Sequence, residues 1–156
     1  LAETGIPHQC LDVEITEGMV IHNIEDIVNK LNKLRKLGVS ISIDDFGTGY
    51  SSLTYLKRLP IDTLKIDQSF IREIPGDSDD IAIVTTIIAM AKQLNLQVIA
   101  EGVESREQIL FLKENNCHQF QGFYFDRPFP LEDFESLLTT QCKISETVLK
   151  RSIINE

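Results

Sequence analysis

Two adjacent aspartates, Asp44 and Asp45, follow a run of alternating apolar residues and precede a glycine-containing loop at residues 46–52. Like charges side by side at the end of a strand are unfavourable unless a positive charge lies between or beside them. A divalent cation would supply that charge, because hard cations prefer carboxylate oxygens. The pair therefore predicts a metal site, although a turn-capping role explains it about equally well when it is considered alone.

Further polar side chains stand at the ends of other predicted strands: Glu14, Lys65, Asp67, Glu101, Glu104 and Gln121. In a barrel of parallel strands, all the C-terminal strand ends meet at one mouth, so these side chains would converge there. Ligation by oxygen suits Mg²⁺ or Mn²⁺ rather than zinc. Two such ions, ~3.5–4 Å apart, clamp the attacking and leaving oxygens of a phosphoester displacement. The pattern predicts a two-metal hydrolytic site.

Two of these residues could take part in the chemistry directly. Lys65 could position a water on the metal or neutralise a phosphate oxygen, and Glu101 could take the proton from that water. Each residue also has an ordinary explanation: Glu14 could form a salt bridge with a helix, Lys65 and Asp67 could pair on one strand face, and Gln121 could be structural. The repeated position at strand ends favours the functional interpretation for the group as a whole.

The elements that would position these residues alternate along the chain. Strands are predicted at residues 10–16, 39–45, 63–67, 97–101 and 118–122, and helices at 24–37, 51–57, 79–94, 106–115 and 131–138. Gly38 is placed as a C-terminal cap of the first helix, and Ser105 with Gln108 forms a capping box. Five repeats of strand and helix predict a parallel sheet with right-handed crossovers.

The predicted strands alternate in polarity, with apolar residues on one face and polar residues on the other. Strands of a doubly wound sheet are covered on both faces and read as continuous apolar runs. Alternation fits a closed barrel, whose outer strand face meets the helices. We therefore predict an α/β fold, a partial TIM-type (β/α) barrel with about five of eight units. Residues 1–142 are predicted to form the C-terminal part of this barrel domain, and residues 143–156 a tail with a possible helix.

The amino-acid composition disfavours some classes of function. The net charge of −9 and the pI of about 4.8 disfavour binding of DNA or RNA polymers, which normally requires a basic surface. The three cysteines lack CxxC spacing, which is typical of a reducing, cytoplasmic setting. The longest apolar run, residues 81–91, is too short to cross a bilayer. A cytoplasmic location is expected, although a longer parent could be tethered to a membrane through other domains.

Four segments resemble the motifs of one known family, in the same order: DDFGTGYSSL at residues 44–53, LKIDQSFI at 64–71, AEGVE at 100–104 and QGF at 121–123. They resemble the EAL domain family of bacterial phosphodiesterases, which act on cyclic di-GMP. The resemblance covers about residues 1–140. It implies a barrel fold, Mg²⁺ or Mn²⁺ as cofactor and linear pGpG as product.

The resemblance also implies a role for each matching position. The metal ligands would be Glu14, Asp44, Asp45 and Asp67. Lys65 would lie beside the catalytic water, and Glu101 would be the general base or a ligand by way of water. Supporting and substrate-site roles fall to Glu17, which would brace the glycine loop, and to Gly47, Thr48, Glu104 and Gln121. The loop itself would link the substrate pocket to a dimer interface.

One departure from the family pattern is large. The Glu-Ala-Leu signature and the asparagine of the next strand, both metal-ligating in the family, would lie N-terminal to this chain. We therefore expect the parent to hydrolyse cyclic di-GMP and the 156-residue chain alone to be inactive. Open strand edges would favour a homodimer or pairing with the N-terminal part. The alternative is a module that binds cyclic di-GMP or a protein partner without cleavage.

Overall fold

The computed structural model describes residues 3–20, 24–49, 53–128 and 130–139. Within them lies a five-stranded, wholly parallel sheet whose spatial order, β1-β2-β3-β4-β5, follows the chain. The strands are β1 (Asp12–Thr16), β2 (Ser40–Phe46), β3 (Thr63–Ile66), β4 (Gln97–Glu101) and β5 (Gln119–Gln121). Sequential parallel neighbours are the arrangement of a (β/α) barrel, so the predicted partial barrel is confirmed.

Six helices connect or precede these strands in the described residues: α1 (Glu17–Val20), α2 (Ile24–Lys36), α3 (Leu53–Leu56), α4 (Gln68–Ile71), α5 (Ser78–Gln93) and α6 (Arg106–Glu114). The four-residue helices α1 and α4 were not predicted. Cys10 was predicted to open the first strand, but it ends a 3₁₀ turn at His8–Cys10, and the strand begins at Asp12.

Local sequence explains where the longer helices begin and end. The Asp77 carboxylate accepts hydrogen bonds from the backbone N–H groups of Asp79 and Asp80 and so caps the start of α5. Gly38 has a φ of +87° just after α2, as a C-terminal cap requires. The predicted capping box of α6, formed by Ser105 and Gln108, is present.

The core lies between the helices and one face of the sheet. Its strand residues Ile41, Ile43, Leu64, Ile66 and Ala100 are at most 1% exposed. The helices add a second layer of apolar residues, Leu31, Val84, Ile88, Ala91, Ile109 and Leu112. This confirms the predicted apolar face. The other face of β3 is also buried, including Thr63 and Lys65, because β3 is the central strand.

A second unit begins at Asp126, and its described residues 131–139 are helical, close to the predicted 131–138. The possible helix at residues 143–156 lies outside the described residues. Every helix in the described part of the chain is too short or too polar to span a membrane.

Gly122 follows β5 at a point where only glycine fits. A Cβ atom there would lie 2.2 Å from the carbonyl oxygen and 2.3 Å from the nitrogen of Val103. We expect Gly122→Ala to lower the free energy of unfolding by about 2–3 kcal/mol, because backbone atoms would have to move. Gly18→Ala is the control, since nothing lies within 4 Å of that Cβ position. Urea unfolding of both variants checks this, and equal effects would contradict it.

Candidate active site

A β-bulge explains how two adjacent aspartates reach the same side of the sheet. Successive side chains of a regular strand point to opposite faces. Between the pairs Ile43↔Leu64 and Phe46↔Ile66, however, β2 has one residue more than β3. Asp45 takes up this extra length with a φ of +53°, a conformation that aspartate tolerates better than most residues. Asp44 and Asp45 thus both face the site, and Phe46 returns to the core.

Lys65 lies at the centre of the site. Its Nζ is 2.7 Å from Glu14 Oε1, 2.8 Å from Glu101 Oε1 and 3.1 Å from Asp44 Oδ1. These residues come from four neighbouring strands, β1 to β4, and the lysine side chain is only 7% exposed. Burial acts to lower the pKa of Lys65, but its close contacts with the three carboxylates outweigh burial and raise the pKa above its ordinary value. The lysine is therefore a fixed positive charge.

Burial and crowding of the acids raise the pKa of two of them. Desolvation and the charges of Asp44 and Asp67 raise the pKa of Asp45. Burial also raises the pKa of Glu101, against the opposing effect of Lys65. The carboxylates thus carry more negative charge than the single lysine balances, and a further cation in this space would be stabilised.

Asp67 follows β3 and caps α4. Its Oδ1 accepts a hydrogen bond from the Ser69 backbone N–H at 2.9 Å and another from the Ser69 hydroxyl. Burial acts to raise the pKa of Asp67, but the bonds from Ser69 outweigh it and lower the pKa overall. The carboxyl is also close enough to Asp45 for a side-chain hydrogen bond. An ordinary ion pair with Asp67 was the alternative interpretation of Lys65, but the lysine contacts three other acids, Glu14, Asp44 and Glu101.

Glu17 accepts two hydrogen bonds from the described part of the glycine loop, residues 46–49. Glu17 Oε2 accepts hydrogen bonds from the backbone N–H groups of Gly47 at 3.0 Å and Gly49 at 3.2 Å, and the residue is 3% exposed. A Cβ at Gly49 would lie 2.9 Å from the Glu17 carboxylate. Thr48 closes the turn by donating its hydroxyl to the carbonyl oxygen of Asp45 at 2.9 Å.

The last two predicted residues, Gln121 and Glu104, are exposed. Gln121 is exposed and pairs in register with Glu101 across β4 and β5. Glu104 is exposed and lies outside the carboxylate group that could hold an ion in the described residues. Ser69 was missed by the sequence analysis, although aspartate followed two residues later by serine is a recognised capping pattern.

The residues present fit a divalent cation. One carboxylate oxygen from each of Asp44, Asp45 and Glu101 lies within 4.8 Å of the other two. Asp44 Oδ1 is buried and, within the described part of the chain, lacks a well-directed hydrogen bond, although Lys65 Nζ is 3.1 Å away. Such an under-satisfied carboxylate oxygen, with others nearby, is the ligand type that Mg²⁺ and Mn²⁺ prefer.

A parallel sheet with helices on one face and charged side chains at the C-terminal strand ends defines an α/β protein of the (β/α)-barrel type. A family model described as "EAL domain" matches residues 1–128, and the chain belongs to that family.

Named relatives support the same assignment. The chain is 51% identical over 138 residues to the cyclic di-GMP phosphodiesterase NbdA of Pseudomonas aeruginosa, covering 88% of this chain and 18% of that protein. The structure of the PaMucR phosphodiesterase in complex with c-di-GMP matches with a TM-score of 0.82 and 47% identity, over 86% of this chain and 54% of that one. A manganese and cyclic di-GMP complex of Klebsiella pneumoniae BlrP1 matches with a TM-score of 0.76 and 36% identity, over 82% and 33%. The chain thus spans about a fifth of NbdA and about half of the PaMucR chain.

Proposed function

We propose that this chain carries the metal-binding and catalytic residues of a phosphodiesterase that hydrolyses cyclic di-GMP to linear pGpG. The observation that carries the proposal is the arrangement of Lys65 among the carboxylates of Glu14, Asp44 and Glu101. The carboxylate of Asp45 lies close to those of Asp44 and Glu101. Relatives named cyclic di-GMP phosphodiesterases, at up to 51% identity, support the choice of substrate.

Asp44, Asp45, Glu14 and Asp67 would hold two Mg²⁺ or Mn²⁺ ions. When bound, such ions stabilise the negative charge that develops on the phosphoryl oxygens. Asp67 is held for this task by Ser69, and Asp45 by the bulge of β2. Both carboxylates are therefore oriented before any ligand arrives.

Lys65 and Glu101 would serve the attacking water. Lys65 is buried and permanently charged, so it can orient that water or a phosphate oxygen. Glu101 would accept the proton of the water, and its raised pKa makes it a stronger base than an ordinary carboxylate. The water oxygen forms a bond to phosphorus, the bond from phosphorus to the 3′ oxygen breaks, and that oxygen takes up a proton. The product keeps the phosphate on its 5′ end, as pGpG does.

The unpaired edges of the described sheet indicate what could associate with this chain. Among the described strands, β1 and β5 are each paired on one side, so each has an edge that another strand could join. A homodimer, or pairing with the N-terminal part of a complete EAL domain, would cover these edges.

Incubation with cyclic di-GMP and Mn²⁺ or Mg²⁺, with pGpG measured by chromatography, tests the proposal. We expect turnover by a protein that includes the complete EAL domain and none by the 156-residue chain alone. Binding of cyclic di-GMP without any pGpG from the complete domain would favour the non-catalytic module instead. Turnover by the short chain would contradict the need for N-terminal ligands.

A further inference from the structure

Gln108 uses every hydrogen-bonding position of its side-chain amide and is only 5% exposed. Its Oε1 accepts hydrogen bonds from the backbone N–H groups of Glu104 at 2.7 Å and Ser105 at 2.9 Å. Its Nε2 donates to the carbonyl oxygens of Ile71 at 2.9 Å and Arg72 at 3.2 Å. One side chain thus caps the start of α6 and the end of α4, two helices that follow different strands of the site.

The contact of Gln108 with the end of α4 matters because α4 has only four residues. A helix this short is unstable by itself, and its last carbonyl groups need partners from elsewhere. At its N-terminus, Asp67 accepts the hydrogen bond from Ser69 N–H. At its C-terminus, Gln108 supplies two donors. The position of Asp67 is therefore fixed by a helix whose other end is held by Gln108.

The same helix touches the strand end that carries Glu101. A Cβ at Gly102 would lie 2.5 Å from Gln68 Cβ, at the first residue of α4, and Gly102 has a φ of +71°. This close approach leaves α4 no room to move toward β4. A displacement of α4 would therefore disturb Glu101 as well as Asp67.

We propose that Gln108 is a positioning residue that holds Asp67 and Glu101 in their relative places through α4. The catalytic consequence rests on the proposed function, whereas the effect on Asp67 does not. The side-chain hydrogen bonds of Gln108 all go to the backbone at the start of α6 and the end of α4, so it acts through those two helix ends.

Gln108→Glu separates the two caps. A glutamate keeps the acceptor oxygen for Glu104 and Ser105, and it is an equally good capping-box residue at the start of α6. It replaces the Nε2 donor by an oxygen that faces the carbonyl groups of Ile71 and Arg72. Ser105→Ala is the matched control, because it removes the hydroxyl that accepts from Gln108 N–H and leaves the contacts with α4 in place.

Two measurements on the 156-residue chain and these variants decide the matter. Hydrogen exchange at Ser69 N–H, the donor to Asp67, should be about tenfold faster in Gln108→Glu, which corresponds to the loss of about one net hydrogen bond. Calorimetric Mn²⁺ affinity should fall about tenfold, as is typical when a group that orients a ligand is removed. Ser105→Ala should lower Tm and change neither quantity.

Unchanged Ser69 exchange in Gln108→Glu would overturn the proposal. Faster exchange with unchanged Mn²⁺ affinity would overturn the positioning role and leave a structural cap. If the wild-type chain binds no Mn²⁺, the proposed metal site fails in this chain, and Ser69 exchange alone decides the role of Gln108. If the glutamate variant does not fold, Gln108→Met replaces it. Methionine removes the acceptor of the α6 cap as well as the donor to α4, and unchanged Ser69 exchange or unchanged Mn²⁺ affinity in that variant would still overturn the proposal.

Discussion

Asp44→Asn is expected to abolish most turnover of cyclic di-GMP by a complete EAL domain while leaving the fold intact. Turnover should fall on the order of a thousandfold, because a preorganised charged group at the reacting centre is lost. Asparagine keeps the shape of the side chain, and Lys65 keeps its contacts with Glu14 and Glu101. Asp44 also raises the pKa of Asp45, so the variant relieves repulsion. The free energy of unfolding without metal should therefore change by less than about 1 kcal/mol.

Steady-state kinetics and urea unfolding of the same preparation test both halves of this expectation. Asp79→Asn is the control, since Asp79 is an exposed aspartate in the first turn of α5 and should not affect turnover. Near-normal turnover of Asp44→Asn would refute the assignment of Asp44 to the site. A large loss of stability would instead show that Asp44 is mainly structural.

Lys65→Met is expected to have the largest effect on stability. Glu14, Asp44 and Glu101 would lose the cation that lies within 3.1 Å of each of them. Removing one partner of a buried ion pair typically costs about 3–5 kcal/mol. Because the Glu14 side chain is 48% exposed and can turn to water, we expect a loss of about 2–4 kcal/mol in metal-free buffer.

Lys30→Met is the matched control, with the same substitution at an exposed ion pair. Lys30 Nζ lies 2.7 Å from Asp26 Oδ2, with both side chains more than half exposed. Pairs of this kind contribute only about 0.3–0.5 kcal/mol. Urea unfolding in the presence of a chelator compares the two variants. Equal losses at both positions would mean that the carboxylates around Lys65 do not depend on its charge.

The sequence predicted the elements of the fold well where they are long enough to show a period. The helices α2, α5 and α6 lie within one residue of their predicted ends. The helices α1 and α4 have four residues each, too few for a hydrophobic repeat to appear. The burial of Thr63 and Lys65 could not be predicted from the local sequence either, because it depends on β3 being the central strand of the sheet.

The candidate site was predictable as a set of residues but not as a geometry. Position at strand ends was enough to group Glu14, Lys65 and Glu101, because parallel strands bring those ends together. Strand periodicity alone would have placed Asp44 and Asp45 on opposite faces. Their joint orientation follows from the bulge, which is a property of the pairing between β2 and β3.

That bulge makes the site sensitive to the number of residues as well as to their identity. Removing Asp44 or Asp45 would restore a regular pleat in which the remaining aspartate still faces the site and Phe46 still faces the core, so the site would lose one carboxylate. Inserting one more residue, with the bulge kept, would instead turn Phe46 to the opposite face of the sheet. No substitution in this segment has the same effect, because a substitution leaves the count unchanged. A change in the number of residues therefore acts on this site by a route that no point change has, because it alters which face each following side chain takes.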